Sequence, residues 1–336
     1  SFTQRRTIMD KTIRWGILGC GNIANKFAAD LQMASGSTLH AVAAQDLGRA
    51  KNFAKKYKAE KAHRNYTALV NDPDLDVVYV ATTHNFHYEH TALCLAGNKA
   101  VLCEKPICVN AKEAKKLVEL SRKKNIFLME AMWTRFFPAV IRLKKDIESG
   151  IIGTPQLVQA DFGITKPAES GSRFYEKNLG AGALLDLGIY TINIANIVFG
   201  SQPEEISGYA QFTDQGIDKL STYNLKYSDG RQALLSAAVA LPTPHQARIF
   251  GDKGRIVIDD FYHPQQYQVI QNGKKPQLVK ERFDGFGYLY EAKEVQRCLL
   301  GEKIESTICP LDETVSIMHV MDDLRKQWGL KYPNEN

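Results

Sequence analysis

From Lys11 to about Phe127, short apolar, β-rich runs alternate with stretches of helical spacing. The runs are IRWGIL (13–18), TLHAVAA (38–44), VVYVAT (77–82), AVLCE (100–104) and IFLMEA (126–131). Helical patterns fill roughly Asn22–Met33, Arg49–Tyr57, His87–Ala96 and Ala111–Lys124. A parallel sheet needs this order, because each crossover must carry a helix. The pattern predicts a doubly wound α/β domain over residues 11–131.

After Gly150 the texture changes. A long apolar helix near Ala183–Phe199 precedes alternating runs around 207–213, 221–227, 233–240, 247–251 and 255–259. Turn signals at Ser228-Asp229-Gly230 and Asp252-Lys253-Gly254 punctuate them. Residues 132–330 therefore read as an α+β domain, a mainly antiparallel sheet with helices on one face. Helices near 288–300 and 311–328 are expected to close the structure, and the C-terminal one can pack back on the first domain. The least charged stretch, Leu187–Pro203, is interrupted by Thr191, Asn193 and Asn196, which predicts a buried helix rather than a membrane span.

Composition narrows this picture. A chain of 336 residues has the length of two domains, and 44% hydrophobic with 24% charged residues describes a globular protein with ample core. Of the net charge of +6, half falls within the first fourteen residues, where Arg5, Arg6, Lys11 and Arg14 face only Asp10. The rest of the chain is nearly balanced, so no nucleic-acid-binding face is indicated. Residues 1–10 read as a ragged or disordered polar tail without the apolar core of a signal peptide. The six cysteines, Cys20, Cys94, Cys103, Cys108, Cys298 and Cys309, form no CxxC pair and suit a reducing, cytoplasmic setting.

Candidate chemistry begins at Gly19-Cys20-Gly21-Asn22-Ile23-Ala24, directly after an apolar strand and opening a helix. In such a turn the first glycine permits the tight bend, the second lets backbone N–H groups approach a pyrophosphate, and a small third residue allows helix and strand to pack closely. At the end of the second run, Gln45 stands where a ribose-binding acid is expected, with Asp46 beyond it and Arg49 opening the next helix. A guanidinium without the acid favours a 2′-phosphate and hence NADP, and Asp46 keeps NAD open. Lys105, in Cys103-Glu104-Lys105-Pro106, follows a strand at the carboxyl end of the sheet, where ligand crevices form. In Gly180-Ala181-Gly182-Ala183-Leu184-Leu185-Asp186-Leu187-Gly188-Ile189-Tyr190, Asp186 and Tyr190 are four apart and share a helix face, with Gly182 and Gly188 leaving room for a ligand or another backbone. Spacing alone favours a buried hydrogen-bond partner at Asp186 and a core aromatic at Tyr190. His84, His87 and His90 lack a converging further ligand, so no metal is expected there. Cys103 has no activating neighbour and reads as a buried structural thiol.

Together with Ala81-Thr82-Thr83-His84-Asn85-Phe86-His87, these motifs resemble the glucose-fructose oxidoreductase, inositol dehydrogenase and MocA family. Val101–Pro106, Phe127–Pro138 and Gly182–Tyr190 are similar to its dihydrodiol and D-xylose dehydrogenase branch. The resemblance spans about residues 12–330. It implies a Rossmann domain followed by an open sheet whose outer face pairs subunits into a homodimer or higher homo-oligomer. It also implies a sugar or trans-dihydrodiol substrate, with no nucleic-acid or membrane partner. Lys105 and Tyr190 match the branch's catalytic pair; Asp186 is expected to bind a substrate hydroxyl or orient Lys105, and Trp133 and Phe162 to wall the substrate. Thr82, His84, Asn85, His87, Glu104, Trp133 and Arg135 join Gly19, Gly21, Asn22, Ile23, Ala24, Gln45, Arg49 and Lys105 as implied cofactor contacts. The branch often carries arginine where Gln45 stands, so one phosphate ligand is missing while Arg49 keeps the other. Alternatives are an NAD-dependent inositol or polyol dehydrogenase, a non-catalytic dinucleotide-binding regulator, and a hydrolase that uses NAD transiently.

Overall fold

The computed structural model describes residues 11–167, 172–200, 202–333 and 335; the expected tail, 1–10, lies outside them. The chain forms two compact units. The first takes the chain up to Cys108, Lys112–Trp133 and Asp284–Thr314; the second takes Val109–Ala111, Thr134–Phe283 and Val315 onward.

The first unit is a six-stranded sheet of β1 (Ile13–Leu18), β2 (Ser37–Ala43), β3 (Lys61–His63), β4 (Val77–Val80), β5 (Ala100–Glu104) and β6 (Leu128–Ala131) in the order β3-β2-β1-β4-β5-β6. Every neighbouring pair is parallel. The strands are near-continuous apolar runs because helices cover both faces; β1, for example, buries all but Arg14. Its centre is aromatic, with Trp15 against Phe27 at 5.3 Å and Phe27 stacked on Tyr79 at 3.9 Å. Strand β3 was not foreseen from the sequence, being three half-buried residues with no apolar pattern. The short helix Tyr66–Val70, also unforeseen, starts because the Asn65 side chain accepts the Ala68 N–H at 2.7 Å.

The second unit is built on an eight-stranded sheet of β7 (Pro155–Gly163), β8 (Glu205–Phe212), β9 (Asp218–Lys226), β10 (Gln232–Ala238), β11 (Ala247–Gly251), β12 (Gly254–Ile258), β13 (Gln266–Gln271) and β14 (Gln277–Lys280). The order is β14-β13-β12-β11-β7-β10-β9-β8, and only β7 and β10 pair parallel. Strands β7, β13 and β14 escaped the sequence reading because their glutamine-rich stretches carry a weak alternation. One face buries Tyr223, Leu225, Leu235, Ala237, Ile249, Ile256, Tyr267 and Val269. The other exposes Tyr209 (84%) and Leu234 (50%).

The buried face carries the apolar helix Ile189–Phe199, preceded by a wide helical turn over Leu184–Gly188. The stretch Lys177–Phe199 is long and apolar enough to cross a membrane, but 89% of its apolar window is buried within the fold. It is a core helix. Gly188 lets it lie close to the sheet: a Cβ there would stand 2.7 Å from the Tyr223 hydroxyl, which itself bonds Thr191 Oγ1 at 2.6 Å.

Candidate active site

The glycine turn has the backbone its sequence calls for. Gly19 has φ +99°, and a Cβ there would come within 3.0 Å of the Ala81 carbonyl oxygen. Gly21 caps the helix Asn22–Leu31, and a Cβ built on it meets nothing within 4 Å. No side chain caps this helix and no acid occupies its first turn, so its leading N–H groups remain for an anion. Ala24 is fully buried, as close helix and strand packing requires. The cradle fits a dinucleotide pyrophosphate.

At the ribose end, Asp46 is committed elsewhere: its Oδ1 accepts the Arg49 N–H at 2.7 Å and caps the helix Leu47–Tyr57. Gln45 and Arg49 are exposed. The Arg49 guanidinium lies near enough to the glycine turn to oppose the rise in the Cys20 thiol, which burial pushes up to about 11.

The loops after β4 and β5 brace one another. His87 is fully buried, with Nδ1 2.6 Å from the Pro106 carbonyl oxygen and Nε2 3.0 Å from that of Thr82. Burial lowers its pKa to about 4, against the pull of those two bonds. The neutral ring carries one N–H, so one nitrogen donates while the other lies against the second carbonyl, and His87 ties the two loops together. His90 Nδ1 lies 3.0 Å from Thr82 Oγ1 and Asn85 Oδ1 accepts the Thr83 hydroxyl at 2.7 Å, so the histidines of this segment do not converge on one point. His84 is buried, edge-on to His87 at 5.6 Å.

Lys105 begins the second loop, and its bond to Pro106 is cis. Its own N–H donates to Glu104 Oε2 at 3.2 Å, while Tyr79 donates its hydroxyl to Glu104 Oε1. The Ile107 N–H donates to Glu130 Oε1 at 3.0 Å. Glu291, which sequence reasoning missed, is fully buried near this loop with neither carboxyl oxygen hydrogen-bonded. Burial first, then the charges of Glu104 and Asp30, push its pKa well up, so it holds its proton. Trp133 stacks on Tyr288 at 4.8 Å, which places it in the first unit. Cys103 is buried, and burial raises its thiol well above the usual range, as a structural thiol requires.

In the second unit Asp186 is 1% exposed, and its two oxygens lie 3.3 and 3.2 Å from Arg173 Nη1. Arg173 stacks on Phe174 at 4.1 Å and is half-exposed. Tyr190, one turn on, is edge-on to Phe162 at 5.3 Å, and Phe162 stacks on Tyr262 at 4.3 Å. His245 completes this aromatic cluster 4.9 Å from Phe162. It has φ +60° and is held there by its N–H to Asp161 Oδ2 at 2.8 Å and its Nε2 2.6 Å from the Gly163 carbonyl oxygen. Arg173, His245 and Tyr262 were not foreseen, because each lies in a loop far from Tyr190 in sequence.

Arg135 is 4% exposed, with Nε and Nη2 donating to Asn193 Oδ1 at 2.8 Å and Asn196 Oδ1 at 2.6 Å. It anchors the helix Ile189–Phe199, because the two asparagines that interrupt the apolar run need a donor in the core. At Gly182 and Gly188 the chain meets side chains of the sheet. A Cβ at Gly182 would run into Asp218, and one at Gly188 into Tyr223. Asp218 is fully buried; its Oδ2 accepts the Leu184 N–H at 2.7 Å and its Oδ1 has no hydrogen bond. Burial pushes its pKa up to about 7.

A parallel sheet in this order, whose first turn is bent by glycine onto an uncapped helix, is a dinucleotide-binding domain, and the mixed sheet joined to it marks an NAD(P)-dependent oxidoreductase. Residues 13–132 match the profile of an oxidoreductase family with an NAD-binding Rossmann fold, and residues 140–257 match the GFO/IDH/MocA C-terminal domain. The chain belongs to the GFO/IDH/MocA oxidoreductase family. It is 38% identical over 331 residues to trans-1,2-dihydrobenzene-1,2-diol dehydrogenase of Xenopus tropicalis, covering 95% of this chain and 99% of the relative. The human enzyme of that name is 37% identical over 332 residues, covering 96% and 99%. Among solved structures, the aldose-aldose oxidoreductase of Caulobacter crescentus complexed with glycerol superposes with TM-score 0.87 at 21% identity, covering 95% and 99%. The 3-ketoreductase KijD10 of Actinomadura kijaniata, in complex with NADP and TDP-benzene, gives TM-score 0.85 at 22% identity, covering 94% and 98%.

Proposed function

We propose that this protein is an NADP-dependent dehydrogenase that oxidises a secondary alcohol on a trans-dihydrodiol or at the anomeric carbon of an aldose. The observation that carries the cofactor choice is the commitment of Asp46 to its helix cap beside exposed Arg49, which leaves a guanidinium rather than a carboxylate to meet the ribose. Similarity to dihydrodiol dehydrogenases over nearly the whole chain supports the substrate class.

When bound, NADP accepts the hydride from the carbinol carbon. Tyr190 takes the hydroxyl proton as the carbonyl forms, and returns one in the reverse direction. A phenol in water ionises near pH ~10, and the role proposed for Lys105 is to set positive charge against the developing phenolate. Asp186, its charge balanced by Arg173, accepts a substrate hydroxyl, and Phe162 forms an apolar wall for the ring. Trp133 is proposed as a further wall. The leading N–H groups of the helix Asn22–Leu31 hold the pyrophosphate, and Thr82, His84, Asn85 and Glu104 shape the nicotinamide end.

The test is reduced-nicotinamide absorbance with NADP or NAD against trans-dihydrodiols, aldoses and inositols. Turnover of a dihydrodiol or aldose with NADP supports the reading; strong NAD preference with inositol overturns it. We infer that the chain pairs with a second copy through the sheet face bearing Tyr209, Leu234 and Leu278, which an isolated subunit leaves wet. Six buried cysteines, none in a disulfide, support a reducing, cytoplasmic compartment.

A further inference from the structure

At the β3 edge of the first sheet, two histidines and two aspartates converge. His40 stands in β2, His63 in β3, and Asp72 and Asp74 in the turn after the helix Tyr66–Val70. His40 is 4% exposed. Its Nδ1 lies 3.2 Å from Glu60 Oε2, which suits that nitrogen as the donor. Its Nε2 has no hydrogen-bond partner and lies 3.8 Å from both Asp72 Oδ2 and Asp74 Oδ2. A neutral imidazole that donates through Nδ1 aims a bare lone pair from Nε2. Here Nε2 faces two carboxylate oxygens across a gap too long for a hydrogen bond, a spacing that an ion bound by all three would fill.

The potential ligand atoms of His40, Asp72 and Asp74 all lie within 4.8 Å of one another. A single ion with bonds of about 2.0–2.2 Å to imidazole nitrogen and carboxylate oxygen draws such atoms together with a few tenths of an ångström of side-chain movement. His63 offers a fourth ligand, its Nε2 3.0 Å from Asp72 Oδ2. The charges now set against the aspartates are the Lys61 ammonium, 3.0 Å from Asp72 Oδ1 and 2.9 Å from Asp74 Oδ2, and the Arg14 guanidinium, 3.3 Å from Asp74 Oδ1. The Lys61 side chain is 40% exposed on the edge strand β3, so it can turn into solvent when another cation takes its place.

We propose that His40, His63, Asp72 and Asp74 form a site for a divalent cation of the zinc class, which exchanges with the Lys61 ammonium and staples the edge of the first sheet to the turn before β4. Two imidazoles and two carboxylates select zinc, cobalt or nickel over magnesium or calcium, which prefer all-oxygen shells. The site is independent of the dehydrogenase reading.

The test uses the full chain, stripped with chelator and titrated with Co²⁺, whose visible absorption reports ligand number, followed by displacement with Zn²⁺. We expect one cobalt per chain, displaced by zinc, and a thermal midpoint that rises with zinc. His63 is only partly buried, so His63→Ala should fold, and it should weaken cobalt binding about 10-fold or more. Lys61→Ala, which removes the competing ammonium, should tighten it. No cobalt band in either the unaltered chain or Lys61→Ala overturns the proposal and leaves an ion-pair network. A band unchanged in both His63→Ala and His40→Gln overturns it as well, because the ion then sits elsewhere.

Discussion

In the first unit the candidate cofactor site is made of backbone: a glycine at φ +99°, an open approach at Gly21, and a helix start that no side chain caps. In the second, the candidate substrate site is made of side chains that meet from afar. Asp186 and Tyr190 come from one helix, Phe162 from β7, His245 and Tyr262 from loops beyond β10, and Arg173 from a loop before the helix. A backbone site needs only a local string of residues with the right conformational freedom, and any chain that folds the turn has the site. A side-chain site exists only when the sheet register delivers distant residues to one place. The first therefore tolerates substitution of its exposed side chains, while the second loses chemistry with single atoms.

The largest test of that contrast is Tyr190→Phe, which removes one hydroxyl. Turnover should fall about 10²–10⁴-fold, the usual worth of a proton-transferring group, while cofactor affinity measured by fluorescence quenching stays unchanged. Full activity would remove Tyr190 from the reaction.

Next come two buried groups that respond oppositely to pH. Asp218, in the second unit, titrates near 7 when folded against about 3.9 when unfolded, so the native state holds a proton that the unfolded chain releases. Its contribution is complete below about pH 4 and is lost as pH rises through about 7, a change of the order of 4 kcal/mol. His87, in the first unit, titrates near 4 when folded against about 6.5 when unfolded. Its contribution is present above about pH 6.5 and is lost as pH falls through about 4, roughly 3 kcal/mol. Urea midpoints at pH 4.5 and 7.5 should show Asp218→Asn gaining on the unaltered protein at the higher pH. His87→Gln should lose more at the higher pH than at the lower. Parallel pH dependence in both variants would show that these groups do not mark the two units apart.

The smallest expected effect is at the ribose end. Arg49→Ala should weaken NADP binding about tenfold, the scale of one charge-assisted contact, and leave NAD binding nearly as it was. Equal losses for both dinucleotides would return Asp46 to consideration as a ribose ligand.

What the sequence by itself determined is the part written in local pattern. Apolar runs separated by helical spacing predicted the parallel sheet, since a strand buried on both faces must be apolar throughout. Gly19, Gly21 and Ala24 predicted the dinucleotide turn because the conformations they permit are properties of those residues alone. The motif strings pointed to Lys105, Asp186 and Tyr190 through resemblance, without revealing what surrounds them. Tertiary structure alone decided the rest. Nothing local in the sequence shows that Asn193 and Asn196 bind Arg135 in the core, or that two carbonyl oxygens flank the His87 ring. Arg173, His245, Asp218 and the cluster around His40 carry no local signature. The hydrogen-bond partners of Arg173, Asp218 and His245 lie 13, 34 and 84 residues away, and a polar side chain's role is set by whichever donor or charge the fold brings against it.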